Sequence, residues 1–148
     1  MLVTAGNLQN HNTMTASWGG VGWLWNRPVA FVFVRPERYT HEFMERNERV
    51  TLSFFDESHR KALQICGTKS GRDGDKEKEA GLTPMATEDG SVSFSEARLM
   101  LDCRKLFKTE MTAEAFLDKS ILGRWYGDYP GGSMHSMYVA EIEKVYEK

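Results

Sequence analysis

The sequence predicts a mainly β protein, a mostly antiparallel barrel with small helical insertions. Three observations lead there. Roughly seven short β-prone segments recur along the chain. They do not alternate regularly with long helices, which argues against a doubly wound parallel sheet. One of them, Val29-Ala30-Phe31-Val32-Phe33-Val34, is apolar without a break, as a strand covered on both faces would be.

Taken in order, Leu2 to Ala5 is short and apolar and ends at Gly6-Asn7, a turn signal. Thr13 to Trp18 reads as the next strand, with Pro28 to Val34 as its companion. Pro28 suits a first strand position, where no ladder donor is needed. Thr40 is placed to cap a helix reaching about Asn47, with Glu42 in its first turn and Phe43 and Met44 on its apolar face. Val50 to Phe55 is a further strand, carrying Val50, Leu52 and Phe54 on one side. Asp56 or Ser58 caps a short helix that Gly67 stops. Residues 68–81 are charged and carry Gly71, Gly74 and Gly81, so they read as an exposed loop with room for a helical turn. Val92 to Phe94 and Ala97 to Phe107 are strands, Thr112 to Leu117 a short helix, and Met134 to Tyr146 a long closing strand. Ile121 to Tyr126 fits either state.

Composition narrows the function. The 148 residues suit one domain spanning 1–148, with 41% hydrophobic and 27% charged residues. A net charge of -2 gives no basic field for nucleic acid. No apolar run approaches the ~20 residues of a membrane helix. Met1 to Gly6 lacks the basic-then-apolar order of a signal peptide. Cys66 and Cys103 form no CxxC and are expected as reduced thiols in a cytoplasmic protein.

Several signals fail on inspection. Gly67 to Arg72 lacks the Gly-Lys-Ser/Thr ending of a P-loop. Asp73, Asp75 and Glu77 start like a calcium loop, but Lys78 and Pro84 stand where Gly and Glu belong. The four histidines have no metal-ligand spacing, and no GxSxG elbow is present.

Three segments hold. Asn12 to Gly20 sets hydroxyls, small side chains and glycines at a strand end, where backbone can approach a planar ligand. A strand with a polar outer face has the same composition. Arg35-Pro36-Glu37-Arg38-Tyr39-Thr40 joins a cation to a helix start, a combination suited to phosphate or to plain solvation. Ser70 to Lys76 has the glycines of an anion nest and two cations, Arg72 and Lys76, or is a solvated charged loop.

In this order the segments resemble the flavin reductase-like family, the FMN-binding split barrels that include flavoredoxin. Asn12 to Gly20 is similar to the family's N-x-M-T-A-S-W-G signature. Arg35 to Thr40 is similar to its R-P-x-R-Y-T segment. Ser53-Phe54-Phe55 and Cys66 to Asp73 are similar to S-F-F and C-G-x-x-S-G-R-D. Asp128-Tyr129 and His135 to Glu141 are similar to its closing segments, with Ala140 in place of the usual Gly. Family members carry extra residues before the first strand, whereas here Met1 abuts it.

The resemblance implies a Greek-key split barrel that works as a homodimer and binds FMN near the dimer interface. Thr15, Ala16, Ser17 and Trp18 would line the flavin ring, and Thr13 and Met14 would also belong to the cofactor site. Arg35 and Thr40 would lie near the phosphate or ribityl tail, and Ser70, Gly71, Arg72 and Lys76 would complete the phosphate cradle. His135 would sit at the flavin edge. The implied activity is that of a flavin oxidoreductase drawing electrons from NAD(P)H. The alternatives are an FMN-holding electron carrier reduced by a redox-protein partner, and a barrel without flavin that serves as a scaffold. Flavin chemistry of this kind needs no protein nucleophile. Ser17 or a nearby N–H is the candidate donor to the ring. Cys66 is either a redox partner of the flavin or a small core residue.

Overall fold

The computed structural model describes residues 1–127 and 133–148. Seven strands, β1 (Leu2–Asn7), β2 (Asn10–Thr15), β3 (Gly19–Leu24), β4 (Arg27–Val34), β5 (Arg49–Phe54), β8 (Leu99–Glu110) and β9 (Ser136–Glu147), form one antiparallel sheet in the order β2-β1-β5-β8-β9-β4-β3. Its edge strands, β2 (Asn10–Thr15) and β3 (Gly19–Leu24), are consecutive in the chain and joined only by Ala16, Ser17 and Trp18. The sheet therefore curls into a barrel whose split lies where the sequence signature falls.

β1 (Leu2–Asn7) turns into β2 through Asn7, whose Oδ1 accepts from the Gln9 and Asn10 amides at 3.1 and 2.9 Å. Gly6 has φ +113, and a Cβ there would stand 2.3 Å from the Asn10 carbonyl oxygen. β3 meets β4 (Arg27–Val34) across Trp25-Asn26, both with positive φ, as a tight primed hairpin turn requires. β5 (Arg49–Phe54) pairs with β1 and with the long β8 (Leu99–Glu110). β9 (Ser136–Glu147) lies between β8 and β4, and the β8–β9 register shifts twice. Such bulges bend a strand pair and help the sheet curl.

β1 is buried on both faces. Val3 and Ala5 point into the barrel core with Met14, Val32, Leu52 and Tyr138, and α1 (Tyr39–Arg46) adds Phe43 and Met44 to it. Leu2 points outward beneath α2 (Arg60–Thr68), meeting Ala62, Cys66, Leu82 and Phe94. The short α3 (Lys76–Ala80) and the β6–β7 hairpin (Pro84–Ala86 and Val92–Phe94) lie on this outer side, and α4 (Lys119–Tyr126) precedes β9.

Several sequence expectations change. β2 pairs with β1, not with β4. β3 and β6 were not expected as strands. Thr40 does not cap α1: the helix starts at Tyr39, Arg38 stands at the cap, and no side chain caps it. Gly67 does not stop α2, which runs on to Thr68. A Cβ on Gly67 would stand 3.2 Å from the Thr15 Cβ, so the glycine lets the helix lie close on β2. The loop expected over 68–81 contains α3, capped by Asp75, which accepts from the Lys78 amide at 3.0 Å, and closed by Gly81 at φ +70. Asp128-Tyr129 lies outside the described residues.

Candidate functional site

Two cavities meet at Arg38, which lines both. The first, of about 350 Å³, opens where β2 ends. Met14, Thr15, Ala16, Ser17 and Trp18 line it with Phe33 and Arg35 from the end of β4 and His135 from the residues before β9. Chain adjacency brings five of these together. Thr13 is not among them. Its hydroxyl bonds the Thr4 hydroxyl at 2.8 Å and donates to the Val3 carbonyl at 3.3 Å, fully buried.

The Trp18 ring stands edge-on to Trp125 at 5.2 Å and tilted to His135 at 5.3 Å, while 44% of the residue stays exposed. Thr15 is held by donating to the Leu63 carbonyl at 2.5 Å, which ties the strand end to α2. Arg35 donates to the carbonyls of Ser133 at 2.9 Å and Trp125 at 2.7 Å, and its guanidinium stacks on Tyr126 at 4.7 Å. Arg35 thus lines the ring-sized cavity and draws α4 and the entry to β9 against it. It does not reach the second cavity.

His135 is buried, and its Nδ1 is 2.7 Å from the Tyr126 hydroxyl. Burial, reinforced by the positive charge of Arg35, lowers its pKa to about 4. The ring is therefore neutral near pH 7, a hydrogen-bonding group and not a cation.

The second cavity, of about 280 Å³, is polar. It lies between the uncapped first turn of α1 and the chain that follows α2. Its central feature is Lys76, only 5% exposed. The ammonium donates to the carbonyls of Cys66 at 3.3 Å and Lys69 at 3.1 Å. Two of its three donors are so engaged; one donor and the charge are left for a ligand. Burial lowers its pKa, so an anion that arrives here relieves a charge held out of water. Asn12 crosses the cavity floor, donating from Nδ2 to the Thr40 hydroxyl at 2.8 Å. Gly71 packs directly on it: a Cβ there would fall 2.0 Å from Asn12 Oδ1. Ser70 lines the cavity, and its hydroxyl accepts from the Arg72 amide at 3.2 Å.

Arg72 itself lines neither cavity. Its guanidinium pairs with Glu42, donates to the Glu37 carbonyl at 3.4 Å and stacks on Tyr39 at 4.5 Å. The polar cavity is lined by Lys76, Ser70, Asn12 and Thr40, with Arg38 at the junction. Asn12, Phe33 and Arg38 were missed as site residues. Asn12 and Arg38 stood inside the quoted segments, but no local pattern says which side chain turns inward. Cys66 is fully buried in the outer core, and burial pushes its thiol up to about 11, which suits a core residue and not a reactive thiolate.

The family model described as flavin reductase like domain matches residues 1–148. The chain belongs to that family. No curated protein matches the flavin reductase-like chain in sequence. Among solved structures it is similar to flavoredoxin of Desulfovibrio vulgaris (Miyazaki F), at 20% identity and a TM-score of 0.76, covering 99% of this chain and 68% of that one. Flavoredoxin from Methanosarcina acetivorans gives 22%, 0.76, 99% and 67%. An FMN-binding protein from Thermus thermophilus with bound p-hydroxybenzaldehyde gives 20%, 0.74, 99% and 70%. At these identities the likeness is one of fold, an FMN-binding split barrel. Among the described residues no helix is long and apolar enough to cross a membrane, and no group of side chains is arranged to hold a metal.

Proposed function

We propose that this flavin reductase-like chain binds FMN across the two cavities and works as a flavin oxidoreductase drawing electrons from NAD(P)H. The observation that carries this reading is Lys76: a buried ammonium with a spare donor, in a polar cavity that joins a ring-sized aromatic one. A phosphate ester on a flat ring has that pair of demands. The donor set fits the group, and Gly71 keeps the floor open where a Cβ would collide. The fold likeness to flavoredoxins and an FMN-binding protein supports the same reading.

Bound flavin would supply two-electron chemistry that side chains lack. The chain's own part is orientation. Lys76, Thr40 and Ser70 hold the anion, and the uncapped N–H groups of α1 favour it further. Ala16 and Ser17 let backbone approach one face of the ring, with Ser17 as a donor to its polar edge. Neutral His135 and Trp18 border the open side, where a donor molecule approaches. The exposed rims of Trp18 and Trp125 suit burial by a second copy, in keeping with a homodimer.

The test is titration of the apoprotein with FMN and with riboflavin, followed by anaerobic NADH and NADPH. FMN is expected to bind at least tenfold tighter than riboflavin, the contribution of charge-assisted bonds to the phosphate. Equal affinity would overturn the assignment of the anion cavity. Rapid nicotinamide oxidation marks the reductase. Tight FMN with sluggish nicotinamide reaction marks a carrier that a redox protein reduces.

A further inference from the structure

Tyr126 is the last residue of α4 and His135 the one before β9, and their side chains meet, the hydroxyl 2.7 Å from Nδ1 of the imidazole. Both residues are buried. The pair is held from several sides. Arg35 donates to the carbonyl of Trp125, beside Tyr126, and to that of Ser133, two residues before His135. The Arg35 guanidinium stacks on the Tyr126 ring, and Phe116 meets that ring edge-on at 5.7 Å. The Met111 amide donates to the His135 carbonyl at 3.1 Å.

A neutral imidazole carries one proton, and the partner of one nitrogen decides which nitrogen holds it. Burial and, after it, the charge of Arg35 keep His135 neutral near pH 7, against a smaller opposing pull from Glu37. Burial also raises the Tyr126 pKa, so the phenol keeps its proton. Two acceptors compete for that proton, Nδ1 at 2.7 Å and the Met111 thioether sulfur at 3.8 Å. The imidazole nitrogen is nearer, and a thioether is a weak acceptor. The reverse arrangement, with Nδ1–H donating to the phenol oxygen, would leave the phenol proton to the sulfur. The phenol therefore donates to Nδ1, and the imidazole proton sits on Nε2.

That second nitrogen is open. Among the described residues, the side-chain polar atom that is both sealed from solvent and without a partner is the Tyr146 hydroxyl. His135 Nε2 also has no partner among them, so it keeps accessible surface. His135 lines the ring-sized cavity, and Tyr126 closes the Nδ1 side.

We infer that Tyr126 is a positioning residue for the ring-sized cavity: by donating to Nδ1 it fixes the His135 tautomer that offers Nε2–H to a neutral acceptor, a carbonyl oxygen of the bound ring. On the flavin reading above, on which the identity of that ring rests, the isoalloxazine edge carries such oxygens. The other tautomer would turn a lone pair toward the carbonyl and repel it.

The test begins with the apoprotein, labelled with ¹⁵N at histidine, the His135 signals being assigned with His135→Gln. At pH 7 the wild type is expected to carry the His135 proton on Nε2 alone. Tyr126→Phe keeps the ring on Arg35 and removes the donor, so the Nδ1–H form should appear beside the other. Weaker packing alone would lower the melting temperature and leave the tautomer single. Riboflavin is then added to both proteins. It should shift the Nε2–H signal of the wild type and bind Tyr126→Phe about fivefold more weakly, as loss of one neutral hydrogen bond implies. A proton on Nδ1 in the wild type, a single tautomer in Tyr126→Phe, an Nε2–H signal that bound riboflavin leaves in place, or equal affinity of the two proteins would each overturn the inference. A wild type that binds neither riboflavin nor FMN would overturn the flavin reading, and the apoprotein spectra would still decide the role of Tyr126.

Discussion

The two cavities that meet at Arg38 are built on opposite principles. The ring-sized one comes from a single run of chain, Met14 to Trp18, completed by aromatic and imidazole side chains, and its rim stays exposed. The polar one is assembled from four separate stretches and keeps its decisive groups, Asn12, Thr40 and Lys76, buried. Apolar contact with a ring is tolerant of geometry and spread over many atoms. A buried ammonium is not: it needs its carbonyls in place and gains most when an anion completes the set. Discrimination among flavins should therefore reside in the polar half and general ring affinity in the other.

Lys76→Met tests that division with the largest effect. It removes the buried charge while keeping its volume, so FMN affinity should fall about 30-fold, within the 1.5–3 kcal/mol of a charge-assisted bond, with riboflavin affinity unchanged. Thermal stability should change little, because relief of a desolvated cation is offset by loss of its bonds to the Cys66 and Lys69 carbonyls. A fluorescence titration of both flavins, with a melting curve, checks this. Parallel losses for FMN and riboflavin would break the comparison. Gly71→Ala comes next. Its methyl would displace Asn12 from Thr40, so FMN affinity should drop about tenfold and the fold lose about 1–3 kcal/mol in urea unfolding.

The same contrast explains how much of the fold is legible in the sequence. Segments that bury a face were legible: β1, β4, β5, β8 and β9 announce themselves by apolar residues, while the helix carrying Phe43 and Met44 was read from start signals at Thr40 and Glu42, of which only Glu42 in the first turn holds. β3 was not, because Gly19-Gly20-Val21-Gly22 reads as a turn and its side chains face solvent. α3 is five residues of Lys-Glu-Lys-Glu-Ala with no apolar stripe, so the sequence left room for a helical turn in 68–81 without locating it. Met14 to Trp18 could be placed in one site because adjacency and the signature put them there. The polar half depends on long-range orientation. Nothing local says that Arg72 turns to Glu42 while Lys76 turns inward.

In the ring-sized half, Trp18→Ala should weaken FMN and riboflavin equally, by about fivefold, as the loss of one aromatic contact implies. A flavin titration that showed selective loss of FMN would contradict the assignment of that cavity to the ring.

Two histidines sharpen the comparison through pH. His135, in the ring-sized half, has a folded pKa near 4, below its unfolded value. The unfolded chain takes up the proton first, so the stability it contributes is present above about pH 6.5 and is lost as pH falls toward 4. His11 behaves oppositely. Burial lowers its pKa, but the hydrogen bond and charge of Glu77, at 3.0 Å, outweigh it and leave a net rise. Its contribution is present below the unfolded value and lost as pH rises through the folded one. Because Glu77 adjoins Lys76 on α3, alkali should loosen the polar half and acid the ring-sized half. Melting temperatures from pH 4 to 8 should show His135→Gln flattening the acid limb and His11→Gln the alkaline one, each by about 3 °C.

Arg72→Ala should do least. Family resemblance puts Arg72 in the phosphate cradle, whereas the structure spends its guanidinium on Glu42 and Tyr39 outside both cavities. That pair is about half exposed, and ion pairs of this kind contribute about 0–1 kcal/mol. FMN affinity should then change less than about threefold, and the little that changes should shrink with added salt. A loss as large as that of Lys76→Met would mean that Arg72 leaves Glu42 when the anion arrives, and that the polar half completes itself on binding instead of standing preformed.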